Sequence, residues 1–168
     1  MTEERYKKLH DYFAKHPNMA KAINLCCSIL TAAVYVIFIG VLVFLLINKE
    51  YKKAYEIVLV SGVGFLACTV LRNIINNPRP YDVYPYPPVI KRDKKGCSFP
   101  SRHVFSIAII AVCAMTVNVN LGTMLIIMTF FLGTTRVLGG VHFVKDVFAG
   151  AGIAFLWGII GFSVLAFV

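Results

Sequence analysis

Between two long apolar runs, the stretch Thr135-Arg136-Val137-Leu138-Gly139-Gly140-Val141-His142-Phe143-Val144-Lys145-Asp146 carries an arginine, a histidine, a lysine and an aspartate. Asp146 is the only acidic residue after Asp93. An Arg, Lys or Asp at the centre of a membrane helix costs roughly 2.5–3.5 kcal/mol on insertion scales, so charges placed there have a task. His142 and Asp146 are four residues apart, which on a helix puts them on one face, where a carboxylate can orient an imidazole. Arg72 lies near the end of an apolar run, and Arg79 and the run Pro100-Ser101-Arg102-His103 lie in and at the end of the loop that follows it. Three or more guanidinium groups can hold the non-bridging oxygens of a phosphate and neutralise charge as it builds. The run at Pro100 begins a helix, where free N–H groups and the positive dipole end attract an anion. Two histidines can divide the labour, one attacking phosphorus and the other protonating the leaving oxygen. The chemistry these residue types support is phosphoryl transfer.

Holding such groups in place requires a membrane scaffold. Of the 168 residues 58% are hydrophobic, and mean hydropathy is +0.74, against about 45–50% apolar in soluble domains. The excess lies in long runs, which predicts an all-α integral membrane helix bundle forming one domain over residues 1–168. Five apolar runs, 19–47, 54–75, 104–117, 121–138 and 142–168, read as transmembrane helices. Ahead of them Met1 to Asn18 is polar, with Tyr6, Leu9, Tyr12 and Phe13 at helical spacing. That pattern predicts an N-terminal amphipathic helix in the membrane interface. The polar lead and the long run after it do not fit a cleavable signal peptide.

The one substantial loop, 76–100, carries Pro78, Pro80, Pro85, Pro87 and Pro88 with Tyr81, Tyr84 and Tyr86 between them. Proline stops helices and tyrosine suits the membrane–water interface. The basic run Lys91-Arg92-Asp93-Lys94-Lys95 in that loop reads as a solvated, lipid-attracting segment. Gly150, Ala154 and Gly158 form a small-residue stripe for close helix packing. The net charge of +9 has no soluble domain to present it, so it points to membrane lipids or phosphorylated substrates as partners and not to nucleic acid. The five cysteines lack metal-ligand spacing; the four inside apolar runs read as small buried residues.

With five spans and short turns, four helix ends share one membrane face: the end of the second span, the start of the third, the end of the fourth and the start of the fifth. Arg72, Arg79, Ser101, Arg102, His103, Arg136, His142 and Asp146 all sit at those ends. Arg72, six residues, Arg79-Pro80; Pro100-Ser101-Arg102-His103; and Thr135-Arg136, five residues, His142, three residues, Asp146 together resemble the three-part signature of the type 2 phosphatidic acid phosphatase family. That family is related to bacterial acid phosphatases and vanadium haloperoxidases, and the resemblance covers residues 54–168. It implies a metal-independent membrane phosphatase with no cofactor, acting on a lipid phosphate or diphosphate. Phosphatidate, phosphatidylglycerol phosphate and undecaprenyl diphosphate are the candidate classes. It further implies that His142 is the nucleophile, forming a phosphohistidine, with Asp146 fixing its tautomer. His103 would be the general acid and then the base that activates water. Arg72, Arg79, Arg136 and Ser101, with the backbone N–H groups around Ser101, would bind the phosphate.

Three positions depart from the family pattern. Arg72 stands where lysine is usual, Thr135 where serine is usual, and Arg102 where glycine is usual. The first two keep the charge and the hydroxyl. Arg102 reads either as a contact to a second phosphate or head group, or as a side chain that snorkels into water. Lys145 lies outside the pattern and reads as an interface residue.

Two other functions use the same residues: a non-enzymatic carrier of anionic lipid, and a phosphotransferase whose acceptor is not water. A carrier needs the arginines but not a paired His142 and Asp146, nor His103. The expected location is the cell membrane, multi-pass, and two signals for the facing of the site disagree. Setting aside Arg72, Arg79, Arg102 and Arg136, the site side holds ten Lys and Arg against three on the other, which by the positive-inside rule points to the cytoplasm. The family resemblance points to the outer face.

Overall fold

The computed structural model describes residues 1–90, 92 and 94–167. Lys91 and Asp93 of the basic run lie outside the described residues. All regular structure among the described residues is helical: α1 (Glu3–Lys15), α2 (Pro17–Ile47), α3 (Tyr51–Ile75), α4 (Pro80–Val83), α5 (Arg102–Met115), α6 (Val119–Leu138) and α7 (Val144–Ala166). The chain is a multi-pass membrane protein. Among the described residues four helices, those beginning at Pro17, Tyr51, Val119 and Val144, are long and apolar enough to cross a bilayer. The remaining apolar run, third in chain order and expected to span, forms α5, which has 14 residues and is about 21 Å long, short of the ~30 Å hydrocarbon core.

That short helix is the centre of the bundle. Ten of its residues, from Val104 to Ala114, are buried, and α2, α3, α6 and α7 all pack on it. A helix apolar all round is stable only when enclosed. The enclosing helices turn their other faces outward: Val36, Ile74, Phe130 and Phe148 are each between 69% and 75% exposed, as lipid-facing side chains must be. Hydroxyls within the spans bond their own backbone, as Thr69 Oγ1 does to Phe65 O at 2.8 Å and Thr129 Oγ1 to Leu125 O at 2.8 Å. In hydrocarbon no water is present to satisfy them.

The stripe on α7 packs against α5, as its spacing predicts. A Cβ at Gly150 would lie 2.6 Å from the Ser101 carbonyl oxygen, so only glycine lets α7 cross the start of α5 this closely. The cysteines divide less simply: Cys27, Cys68 and Cys113 are buried, Cys97 is half-buried and Cys26 faces outward. Cys26 belongs to the lipid-facing side of α2, where an apolar thiol costs nothing.

The N-terminal helix forms as its periodicity predicts, but its apolar face does not all meet lipid. Tyr6 and Phe13 are buried at 1% and 6% exposure, while Tyr12 is exposed at 47%. Tyr6 stacks against Tyr84 and Tyr86 of the proline-rich loop, with ring centroids 5.4 and 6.5 Å away. The Tyr84 hydroxyl donates to the Met1 carbonyl at 2.9 Å. The α1 helix is therefore seated on the loop at the mouth of the bundle.

Candidate active site

Four helix ends meet at this mouth, as the span count requires. They enclose a cavity of about 110 Å³ lined by Arg72, Arg79, Arg102, His103, Arg136 and His142 among others. That is several times the roughly 30 Å³ share of one water molecule. Arg72, Arg79, Arg136 and His142 are buried, at 7%, 4%, 2% and 1% exposure. Three guanidinium groups in one buried cavity attract a compact anion strongly, since burial weakens solvent screening.

His142 sits in the turn between α6 and α7, two residues before α7 begins, and not within the last helix as its run of apolar neighbours suggests. The reason is Asp146. Its Oδ2 accepts from the Phe143 backbone N–H at 3.0 Å, capping α7 from the third helical position and leaving His142 just outside. The same Oδ2 lies 3.6 Å from His142 Nδ1 and accepts from Ser98 Oγ at 2.5 Å. Nδ1 is turned to the carboxylate, so Nε2 is the nitrogen presented to the cavity. Burial lowers the imidazole pKa to about 4; the Asp146 carboxylate opposes that shift, and Arg136 and Arg79 add to it. His142 is neutral at physiological pH.

Every carbonyl of the turn before His142 is tied down. Gly139 O accepts from Ile90 N at 3.1 Å, Gly140 O from the Tyr6 hydroxyl at 3.2 Å, and Val141 O from Arg79 Nη1 at 3.4 Å. Gly140 has a φ of +71° with Tyr6 beside it, a conformation and a closeness that glycine alone accepts without strain. Burial raises the Tyr6 hydroxyl pKa to about 12, with Tyr81 adding to the shift, so Tyr6 stays a donor.

The two loop arginines also brace backbone. Arg72 Nη2 donates to Cys97 O, and Arg79 Nε to Gly96 O at 2.9 Å. Asp82 Oδ2 accepts from the N–H groups of Arg79 and Gly96, each at 2.9 Å. The arginines are thus preorganised, with remaining N–H groups on the cavity side. Arg136 is buried with Nη1 3.4 Å from Cys27 Sγ, and its Nε has no protein partner among the described residues. An orphaned guanidinium N–H in a buried site is free for an anion.

Ser101 differs from its sequence reading. It is fully buried, it is not among the residues lining the cavity, and its N–H donates to Asp146 O at 2.8 Å. The N–H groups of Arg102 and His103, one and two residues on, open α5 at the cavity. Arg102 is exposed, lines the cavity, and has its Cζ 5.5 Å over the Phe65 ring. Thr135 Oγ1 bonds back to Leu132 O at 2.8 Å. Lys145 is exposed, with Nζ 5.7 Å over the Phe143 ring. Among the described residues no three His, Cys, Asp or Glu side chains come together in a metal-holding group.

Two features escape sequence reading. Ser98 and Tyr6 reach the site across sequence separations of 48 and 134 residues; Ser98 sits in no periodic pattern, and the helical spacing of Tyr6 does not show what its face packs against. The other is a polar stripe on α2, whose signal was present as Asn24, Ser28 and Thr31 within an apolar run.

A sequence model of the PAP2 superfamily matches residues 32–167. Among solved structures, the chain is similar to LpxE from Aquifex aeolicus, at 25% identity and a TM-score of 0.72, over 95% of this chain and 93% of that one. It is also similar to the first transmembrane PAP2 type phosphatidylglycerolphosphate phosphatase from Bacillus subtilis, at 19% identity and a TM-score of 0.60, over 94% and 90%. At that identity the second likeness is one of fold. No curated protein sequence matches the chain. All of α1 and the first half of α2 precede the stretch matched by the family model.

Proposed function

The chain belongs to the PAP2 superfamily, and we propose that it is a membrane phosphatase that hydrolyses a lipid phosphate or diphosphate through a phosphohistidine. The observation that carries this reading is one buried imidazole, His142, facing a cavity with three buried guanidinium groups while its Nδ1 faces a carboxylate. Arg72, Arg79 and Arg136 hold the non-bridging oxygens, with the N–H groups at the start of α5 and Arg102 at the rim. Ser101 acts from behind the wall, by fixing the start of α5 to Asp146. His142 Nε2 attacks phosphorus; the bond from phosphorus to the leaving oxygen breaks, and His103 gives that oxygen a proton. Water then attacks the phosphohistidine, His103 takes its proton, and phosphate leaves. Asp146 keeps the proton of the neutral imidazole on Nδ1 and stabilises the positive charge that attack creates.

This scheme assigns every buried charge a task, which a lipid carrier does not. A carrier would retain function without His142. Phosphate release from phosphatidate, phosphatidylglycerol phosphate and undecaprenyl diphosphate, assayed with chelator present, tests the reading. His142→Ala should lower release by at least about 10³-fold while sparing lipid binding. Unchanged turnover by the purified variant would sink it.

A further inference from the structure

Arg136 is held differently from the other two buried arginines. Arg72 and Arg79 donate to backbone carbonyl oxygens, at Cys97 for the first and at Gly96 and Val141 for the second. Arg136 is the most buried of the three, at 2% exposure. Its one side-chain hydrogen bond among the described residues runs from Nη1 to Cys27 Sγ, at 3.4 Å. Its Nε has no partner among them. The contact joins α6 to α2 across 109 residues of sequence, and the two helices pack together. Cys27 is itself buried, at 6% exposure, and stands with Arg136 in the wall of a groove that reaches His103.

A sulfur in this place has a specific consequence. A buried guanidinium with no acceptor is costly and unfixed, whereas a carboxylate beside it would neutralise it and compete with an incoming phosphate. A thiol sulfur is a weak acceptor, so it orients one N–H and leaves the charge and the Nε donor to the anion. The hydroxyls nearby on α2 turn to their own helix instead. Ser28 Oγ donates to Asn24 O at 3.0 Å and Thr31 Oγ1 to Cys27 O at 2.8 Å. Cys27 Sγ makes no such bond among the described residues; its contact is to Arg136. We propose that Cys27 is a positioning residue for Arg136, fixing the guanidinium at the catalytic cavity without satisfying it. The inference rests on the phosphatase reading. Cys27 precedes the stretch matched by the family model, so this support comes from outside that stretch. Burial alone, the role its apolar run suggests, would not require Sγ to face a cation.

The test measures binding of inorganic phosphate to the full chain in detergent by calorimetry. Beside it stand kcat and KM on whichever of phosphatidate, phosphatidylglycerol phosphate and undecaprenyl diphosphate the wild type hydrolyses. Cys27→Ala removes the sulfur, and Cys27→Val removes it while refilling the space. Both should weaken phosphate binding about fivefold and raise KM to a similar degree, with kcat changed less than about twofold. In an Arg136→Ala background neither should weaken phosphate binding further. Phosphate binding that neither variant changes, or a loss of the same size with Arg136 absent, overturns the inference and leaves the phosphatase reading standing. A wild type that binds phosphate but hydrolyses none of those lipids removes the phosphatase reading, and the inference with it.

Discussion

At the scale of single residues, the proposed chemistry turns on a neutral histidine held against a carboxylate. His142 titrates near 4 in the folded protein because it is buried, against about 6.5 in an unfolded chain. Between those values the unfolded state takes a proton that the folded state refuses. Stability from the neutral imidazole is therefore intact above about pH 6.5 and is lost as pH falls toward 4. Thermal melts in detergent should show His142→Gln losing less stability than the wild type across that interval. Asp146→Asn should lower turnover about 10²-fold or more by removing the partner that fixes the ring's tautomer, with lipid binding retained in a flotation assay. Arg102→Gly tests whether that exposed guanidinium meets a second anionic group: the ratio of diphosphate to monophosphate turnover should fall, and an unchanged ratio would leave Arg102 a surface residue. Of the proposed catalytic set, Arg72, Arg136, His142 and Asp146 were readable because charges inside apolar runs are costly enough to be conspicuous; Arg79, Arg102 and His103, in or beside the proline-rich loop, were readable only from the spacing of the three-part signature. Ser98 was not readable: a lone serine in a loop has no pattern, and only the fold sets its hydroxyl 2.5 Å from Asp146.

At the scale of elements, the spans were readable from apolar length to within a few residues, while their mutual support was not. Nothing in the amphipathic pattern of α1 distinguishes lipid from protein as the partner of its apolar face, so the seating of Tyr6 beside Gly140 emerges only in three dimensions. That contact makes α1 a brace for the turn that carries His142. Tyr6→Phe keeps the ring stack but leaves the Gly140 carbonyl without its donor, at a cost of about 1–3 kcal/mol. The expected result is a several-fold fall in kcat with KM nearly unchanged, because the cavity's arginines are untouched. A fall in KM affinity alone would show that α1 serves the substrate and not the turn. The start of α5 is likewise set by the fold: the Ser101 N–H donates to Asp146 O at 2.8 Å, and His103, two residues on, stands at the wall of the cavity.

At the scale of the whole molecule, four outer helices turn apolar faces to lipid and one buried helix ends at a cationic pocket. Two opposed signals bear on the facing of that pocket, the family resemblance pointing to the outer face and the distribution of charge to the cytoplasm. Ten Lys and Arg against three, with the site arginines set aside, predict a cytoplasmic mouth. Lys95, exposed in the basic loop, offers the probe. In a variant lacking the native cysteines, Lys95→Cys should react with a membrane-impermeant maleimide only after cell lysis. Labelling of intact cells would place the mouth outside and make the basic loop a device for gathering anionic lipid. The central claim, however, is that His142 carries the phosphoryl group, and rapid-quench turnover of phosphate-labelled lipid tests it most directly. Wild-type protein should hold label that is stable in alkali and lost in acid, as a phosphohistidine is, and His142→Ala should hold none. Steady turnover with no labelled protein, or label persisting in His142→Ala, would contradict it.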